Sequence, residues 1–363
     1  MRSHRFISVK KADPLFSQYL LGKTADGLRP IPVETFNLGS PEETVTFEML
    51  EQKEIQRPSV FEFVSRLIKL PTFLLILMPL FFVFTKNFVD DRFRDPFCIV
   101  LAAFAMLFLF AGLNIRNDVV DHLSGFDRVN IAFTAKPIMS GWVTAWKAAH
   151  ISWILIGISF LISLPIFILQ IELFRILVVV IVLLVVSQFF EKNSYKQNWL
   201  GEWTLFLLLG PALVSGYQVS LGAGIDTEGL AFGVLWGFAC LFLIHVNNFS
   251  HMLTSSQAQI KNTMTKMGFD KAKKFLIAWW TTYFVLWFLF HWFYGGMFWT
   301  LFGTALLVFW SLPLFLKVAK IQSPIGSSLK EIRRESLKTF LMMVAILVVE
   351  NLWYIGVKLD WTL

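Results

Sequence analysis

The sequence predicts an all-α, polytopic membrane protein, and three observations carry that prediction. Of the 363 residues, 56% are hydrophobic and 16% charged, with 39 Phe, 14 Trp and a mean hydropathy of +0.63. A soluble domain with that balance would aggregate. The apolar residues also gather into runs of about twenty with few charges, the length a helix needs to cross about 30 Å of hydrocarbon. Finally, the basic residues concentrate in alternate connections between those runs, as the positive-inside rule requires of a chain that weaves through a bilayer.

Taken in order, residues 1–60 come first and differ from the rest: mixed charge, several prolines and no apolar run long enough to insert. They read as a cytoplasmic N-terminal extension, followed by a transmembrane helix bundle over 61–363. Spans are expected near 63–85, 97–113, 142–169, 173–190, 202–221, 229–247, 274–295, 297–317 and 337–357, about nine helices in all. No basic-apolar-small pattern opens the chain, so the first span is expected to act as the insertion signal. Pro211, following Gly210 within the fifth span, is a place where a helix break can open backbone to a cavity, and Pro165 and Pro313 are similar. Cys98 and Cys240 both lie inside apolar runs, where they pack as small hydrophobes.

Even-numbered connections hold Arg116, Arg128, Lys136 and Lys147, then Lys192 and Lys196, then Lys261 to Lys274, then Lys317 to Lys338. Odd-numbered ones and the C-terminus hold only Lys86, Arg92, Arg94, Arg175 and Lys358. The N-terminus and the even loops therefore face the cytoplasm, with the plasma (inner) membrane as the expected location. Basic loops beside anionic lipid account for the net charge of +7 without a nucleic-acid partner. Gly-rich phosphate loops, Ser-His-Asp arrangements, HExxH and paired CxxC motifs are missing, which leaves nucleotide hydrolysis, proteolysis and zinc chemistry without support.

The motif that carries chemistry follows the second apolar run: Asn114-Ile115-Arg116-Asn117-Asp118-Val119-Val120-Asp121, continuing to Gly125 and Asp127. Asp118 and Asp121 are three residues apart and so share one helical face at the lip of a membrane segment. A hard divalent cation such as Mg²⁺ seeks such oxygen ligands together with substrate phosphates. His122 lies off that face and is expected to meet solvent. A second large loop opens with Asn247-Asn248 at the end of the sixth span, where the amides either coordinate a cation or simply cap the helix. Glu350, inside the last span, is expected to make a structural hydrogen bond, and His245 and His291 are expected to be satisfied by packing.

Asn117-Asp118-x-x-Asp121 with Gly125 and Asp127 resembles the first aspartate-rich motif of the UbiA superfamily of intramembrane prenyltransferases. Lys136-Pro137-Ile138-Met139-Ser140-Gly141 is similar to the Arg-Pro-Leu-x-Ser-Gly stretch those enzymes carry soon after it. Gly125-Phe126-Asp127, Leu200-Gly201-Glu202, Gly210-Pro211 and Gly216-Tyr217 resemble the 1,4-dihydroxy-2-naphthoate polyprenyltransferase (menaquinone) branch. The resemblance covers about residues 60–360 and implies a lateral intramembrane chamber around a Mg²⁺-bound prenyl diphosphate. It implies metal ligation by Asp118, Asp121 and Asp127, and diphosphate binding by Arg116, Lys136 and Lys261. Asn114, Asn117, Asn247, Asn248, Glu202, Tyr195 and Tyr217 would line the substrates, a polyprenyl diphosphate and an aromatic acceptor.

The second loop departs from the family pattern: His251 and Ser255 stand where two aspartates belong, and Ile260-Lys261 where a basic pair belongs. Imidazole suits softer ions than Mg²⁺, and a serine hydroxyl is a weak neutral ligand. Three functions remain open on these residues. One is a prenyltransferase with one carboxylate-bound Mg²⁺ at Asp118 and Asp121. Another is a related enzyme of altered chemistry, such as a cyclase, with His251 as general base. The third is a non-catalytic lipid- or quinone-binding membrane protein, whose N-terminal extension could dock a protein partner.

Overall fold

The computed structural model describes residues 5–24, 26–92, 96–129, 136–173, 175–177, 179–180, 199–257, 261–324 and 328–359. The chain divides into two compact units: Met1–Phe73 with Phe104–Ile162 and Thr254–Gln259, and Leu74–Ala103 with Ser163–Leu253 and Ile260–Leu363.

The first unit opens with a feature that hydropathy does not predict, a three-stranded antiparallel sheet in the order β1-β3-β2. The strands are β1 (Arg5–Lys10), β2 (Arg29–Phe36) and β3 (Thr44–Leu50), with helix α1 (Pro14–Leu20) between the first two. In β3 every second side chain is buried, Val45, Phe47 and Met49, as the period of two dictates for a strand with one covered face. They join Val9, Phe16 and Leu20 in a small core. β2 carries Pro30 and Pro32 and shifts register between Pro32 and Glu34, which an edge strand tolerates because a proline there removes no ladder bond that a neighbour needs.

The polypeptide then forms α2 (Val60–Ile68), N-capped by Ser59, whose side chain accepts from Glu62 N at 3.2 Å. It ends at Lys69, held in the left-handed region at φ 56°. The C-terminal part of α4 (Pro96–Ser124), the short α5 (Phe126–Val129) and the N-terminal part of α6 (Ala145–Leu169) complete this unit. Leu67, Ile115, Val119, Ile138, Val143, Ala145 and Ala148 form their common core. Trp153, Ile154, Phe160 and Leu161 of α6 are largely exposed, an apolar face suited to lipid.

The second unit is helical: α3 (Leu74–Val89), α7 (Trp199–Leu207), α8 (Leu213–Ser220), α9 (Thr227–Ser250), α10 (Met252–Gln257, which leaves the unit after Leu253), α11 (Thr263–Met267), α12 (Phe269–Phe290), α13 (Thr304–Lys320) and α14 (Ser328–Lys358). Between α7 and α8 the helix is interrupted at Gly210-Pro211. Gly210 abuts the backbone of Gly233 and Gly237 on α9, so closely that a Cβ at Gly210 would collide with Gly233 O. Small residues let two helix backbones approach in this way in lipid. Cys98 and Cys240 are buried and form no disulfide among the described residues.

Among the described residues, seven helical stretches are long and apolar enough to cross a membrane. One of them, Phe269–Lys320, runs 52 residues, or about 78 Å at 1.5 Å per residue, more than twice a hydrocarbon core. It divides at Gly295-Gly296, where Gly296 adopts φ 73°, and α12 packs against α13. The protein is thus an all-α membrane protein of several crossings, with a small sheet added at its N-terminal end. The expected span at 173–190 falls largely outside the described residues.

Candidate functional site

The last two turns of α4 bring Asp118 and Asp121 inward, with 2% and 8% of their surface exposed. Gly125 then breaks the helix at φ +88°, a left-handed conformation that L side chains resist, and redirects the chain so that Asp127 on α5 is also buried. Lys136 lies among these three carboxylates. Its ammonium is 2.6 Å from Asp127 Oδ1, 3.2 Å from Asp118 Oδ1 and 3.7 Å from Asp121 Oδ2. A second ammonium, Lys69, sits 2.7 Å from Asp118 Oδ1.

Burial pushes the Asp127 carboxyl up to about 6, with Asp121 and Asp118 adding to the rise and Lys136 opposing it. For Lys136 burial pulls downward, but Asp127, Asp118 and Asp121 outweigh it and hold the ammonium charged well above neutrality. The cluster therefore keeps fixed opposite charges in a largely dry place, where each interaction is stronger than in water.

Lys69 was not singled out from the sequence. Its backbone in the left-handed region ends α2, and the following turn places Thr72, which with Ile68 O accepts both hydrogen bonds of the Asn114 amide at 3.0 and 2.9 Å. Asn114 thus ties α2 to α4. The available signal was a lysine at the head of the first apolar run, two residues before Pro71. Asn117 donates to Asp121 Oδ2 at 3.3 Å, orienting that carboxylate. The Arg116 guanidinium lies over the Trp153 ring at 5.4 Å. The solvent-facing position expected for His122 is overturned: it is 2% exposed, its Nε2 is 2.9 Å from Leu20 O, and its Nδ1 faces Met139 Sδ. The N-terminal segment covers the helix face that was expected to be wet.

In the second unit, Glu202 of α7 is buried and accepts from Asn248 Nδ2 at 2.8 Å and from the Thr263 hydroxyl. His245 Nδ1 lies 4.0 Å away. Glu202 and Asn248 are thus brought together, with Thr263 as a partner the sequence did not suggest. The Tyr217 hydroxyl donates to Ile76 O at 3.0 Å, bracing α8 against α3. Asn247 is half-buried, with its carbonyl accepting from His251 N, and His251 forms the C-cap of α9. Lys261 is exposed, Ser255 is buried, and Tyr195 lies outside the described residues. His291, expected to be satisfied by packing, has its Nε2 2.9 Å from Glu350 Oε2, the residue expected to make a structural hydrogen bond.

A magnesium ion, which the motif implies, can be tested against this arrangement. The converging donors of the first unit are all carboxylate oxygens, the hard set that Mg²⁺ prefers. Their meeting point already accommodates a cation, the Lys136 ammonium, and Asp127 Oδ2 is buried without a hydrogen-bond partner. Among the described residues no group of three or more His, Cys, Asp and Glu side chains is placed to hold a metal ion by itself. Mg²⁺ seldom uses one, binding instead through one or two carboxylates together with substrate phosphates. The donor set fits on those terms.

Comparison with known proteins bears on family and fold. A search of curated protein sequences finds no match. The fold is similar to a solved structure of digeranylgeranylglyceryl phosphate synthase, with TM-score 0.53 and 17% identity over 80% of this chain and 98% of that one. It is similar to a UbiA homologue from Archaeoglobus fulgidus bound to DMAPP and Mg²⁺, with TM-score 0.52 and 16% identity over 79% and 99% of the two chains. It also matches an apo UbiA homologue from Aeropyrum pernix K1, with TM-score 0.52 and 14% identity over 76% and 97%. At such identities the likeness concerns the fold. The sequence profile of the UbiA prenyltransferase family matches residues 70–330, and the chain therefore belongs to that family.

Proposed function

We propose that the protein is a Mg²⁺-dependent membrane prenyltransferase that moves a polyprenyl group from its diphosphate to an aromatic, quinone-precursor-like acceptor. The observation that carries this reading is the buried cluster of Asp118, Asp121 and Asp127 with Lys136 and Lys69 at the end of a membrane helix. Asp118 and Asp121 would hold the metal, which supplies Lewis-acid stabilisation of the departing diphosphate. Lys136 and Lys69 present fixed positive charge to the phosphate oxygens, and Arg116 and Lys261 are further candidates for that role. The allylic C–O bond breaks and its electron pair leaves with the diphosphate. A ring carbon of the acceptor donates the pair that forms the new C–C bond and then loses its proton. Stabilising charge on the leaving oxygen by preorganised groups in a dry site is where most of the rate would come from. The bilayer supplies both the apolar donor and the acceptor. The basic even-numbered loops orient the N-terminus toward the cytoplasm, in the plasma (inner) membrane.

The test is diphosphate release by the purified chain with polyprenyl diphosphates, quinone precursors and Mg²⁺. Failure with every chain length and acceptor would remove the reading. One observation favours a second: His251 and Ser255 replace the carboxylates of the second loop, and the Lys136 ammonium already occupies the meeting point of the first. On that reading the chain binds lipid or quinone without turnover, or runs altered chemistry such as cyclisation. A diphosphate analogue that raises thermal stability only with Mg²⁺, and not in Asp118→Asn, would exclude simple lipid binding.

A further inference from the structure

The N-terminal sheet does not stand apart from the first aspartate motif. Glu43, just before β3, reaches Arg128 Nη2 at 2.9 Å, with both side chains at most 4% exposed. Arg128 is the residue next to Asp127. Glu43 is itself held from its own side: Oε2 accepts from Lys11 Nζ and from Gly39 N, each at 3.2 Å. Among the described residues Glu43 is the one carboxylate within ion-pair reach of Arg128. On the other flank, Arg29 of β2 donates to Gly141 O at 3.0 Å, in the turn that begins at Lys136. Trp146 N donates to Leu21 O at 3.1 Å, and the Lys23 ammonium lies 3.5 Å from the centre of the Trp146 ring. His122, just ahead of the first flank, meets Leu20 O. Gly125 and Gly141, both at positive φ, pack closely against the extension: a Cβ at the first would strike Leu38 and at the second Ile31.

We propose that the N-terminal domain is a positioning element of the site, with Glu43 acting through Arg128 and Arg29 acting through Gly141 to hold Asp127 and Lys136 in register. The physical case rests on where the bonds fall. Asp127 and Lys136 meet at 2.6 Å although they belong to two flanks of one connection, and a connection alone does not hold two charged side chains within a few tenths of an ångström. Each flank is anchored to the sheet domain within five residues of its functional side chain. A buried Arg–Glu pair is geometrically specific, and breaking it leaves an uncompensated charge, so it selects one placement of α5 sharply. The anchors bond to Arg128, Gly141, Trp146 and His122 and act on Asp127 and Lys136 through the chain.

The inference rests on the proposed transferase reading for its kinetic arm and is independent of it in its structural arm. Glu43→Gln in the full chain is expected to raise KM for the prenyl diphosphate about 10-fold while kcat changes less than about 3-fold, the signature of lost uniform binding. Arg29→Gln, at a half-exposed strand position, is expected to shift KM in the same direction by a smaller factor. Arg128→Gln, which removes the other half of the pair, should shift KM by a similar factor, and the double variant Glu43→Gln with Arg128→Gln should shift it no further. In hydrogen exchange, backbone amides of 136–145 should lose protection in Glu43→Gln, with the membrane helices unchanged. An unchanged KM in Glu43→Gln and Arg29→Gln, or equal losses in KM, kcat and thermal stability, overturns the proposal. If the wild-type chain releases no diphosphate, the transferase reading fails, and exchange alone decides: unaltered protection of 136–145 then overturns the positioning role.

Discussion

Replacing Lys136 by Gln removes the ammonium that three buried carboxylates share, and the size of the effect follows from where the charge can go. Stranding a buried ion typically costs about 3–5 kcal/mol. Asp118, however, keeps Lys69 at 2.7 Å, and Asp121 keeps the Asn117 amide. The exposed cost therefore falls on Asp127, which can escape by taking a proton. Its carboxyl sits at about 6 against an ordinary 3.8, so at neutral pH the wild-type chain already carries about 3 kcal/mol of destabilisation at 1.36 kcal/mol per unit. Held protonated at pH 7 in the variant, Asp127 would cost about 4 kcal/mol by the same conversion, an added loss of only about 1 kcal/mol. The sign follows from the upward shift. In both proteins Asp127 favours folding most below about pH 4. In the wild type that contribution is lost as pH rises to about 6, and in the variant the loss continues past pH 7. Chemical denaturation of the full chain in detergent, followed by tryptophan fluorescence between pH 5 and 8, should give a deficit that is smallest at pH 5, where what is lost is the pairing of Lys136 with Asp118 and Asp121, and that grows above pH 6. A deficit of equal size at pH 5 and pH 8 would refute the reasoning.

Three further outcomes are expected. Asp118→Asn should lower diphosphate release at least about 100-fold, and EDTA should reduce wild-type activity to a similar level, since metal assistance is worth several kcal/mol. Gly125→Ala places a side chain at φ +88°, at a cost of about 1–2 kcal/mol, and should displace the Glu43–Arg128 pair; full stability in a denaturation titration would count against the described turn. Glu350→Ala should leave His291 Nε2 unsatisfied and cost about 1–3 kcal/mol, whereas Glu350→Gln, which preserves a hydrogen-bond acceptor, should lose markedly less in the same titration.

Hydropathy and local spacing carried most of what the sequence could say. Membrane crossing depends on the summed apolarity of about twenty adjacent residues, a property that needs no tertiary contact to read, and the bundle is helical as expected. The common face of Asp118 and Asp121 follows from helical spacing alone, and family membership from motif residues close together in sequence. The strand pattern of Thr44–Leu50 was also present as an alternation, but it is short, and the prolines of β2 obscure its neighbour. What the tertiary structure decided lies in pairs far apart along the chain. His122 is buried because Leu20, 102 residues away, covers it. Lys69 reaches Asp118 only because a left-handed residue ends α2 there and Asn114 ties that turn to α4. Arg128, next to Asp127, pairs with Glu43, 85 residues earlier in the chain. Periodicity records which face of an element is apolar. It does not record which distant segment meets that face, because the meeting is chosen by the packing and charge compensation of the whole folded chain.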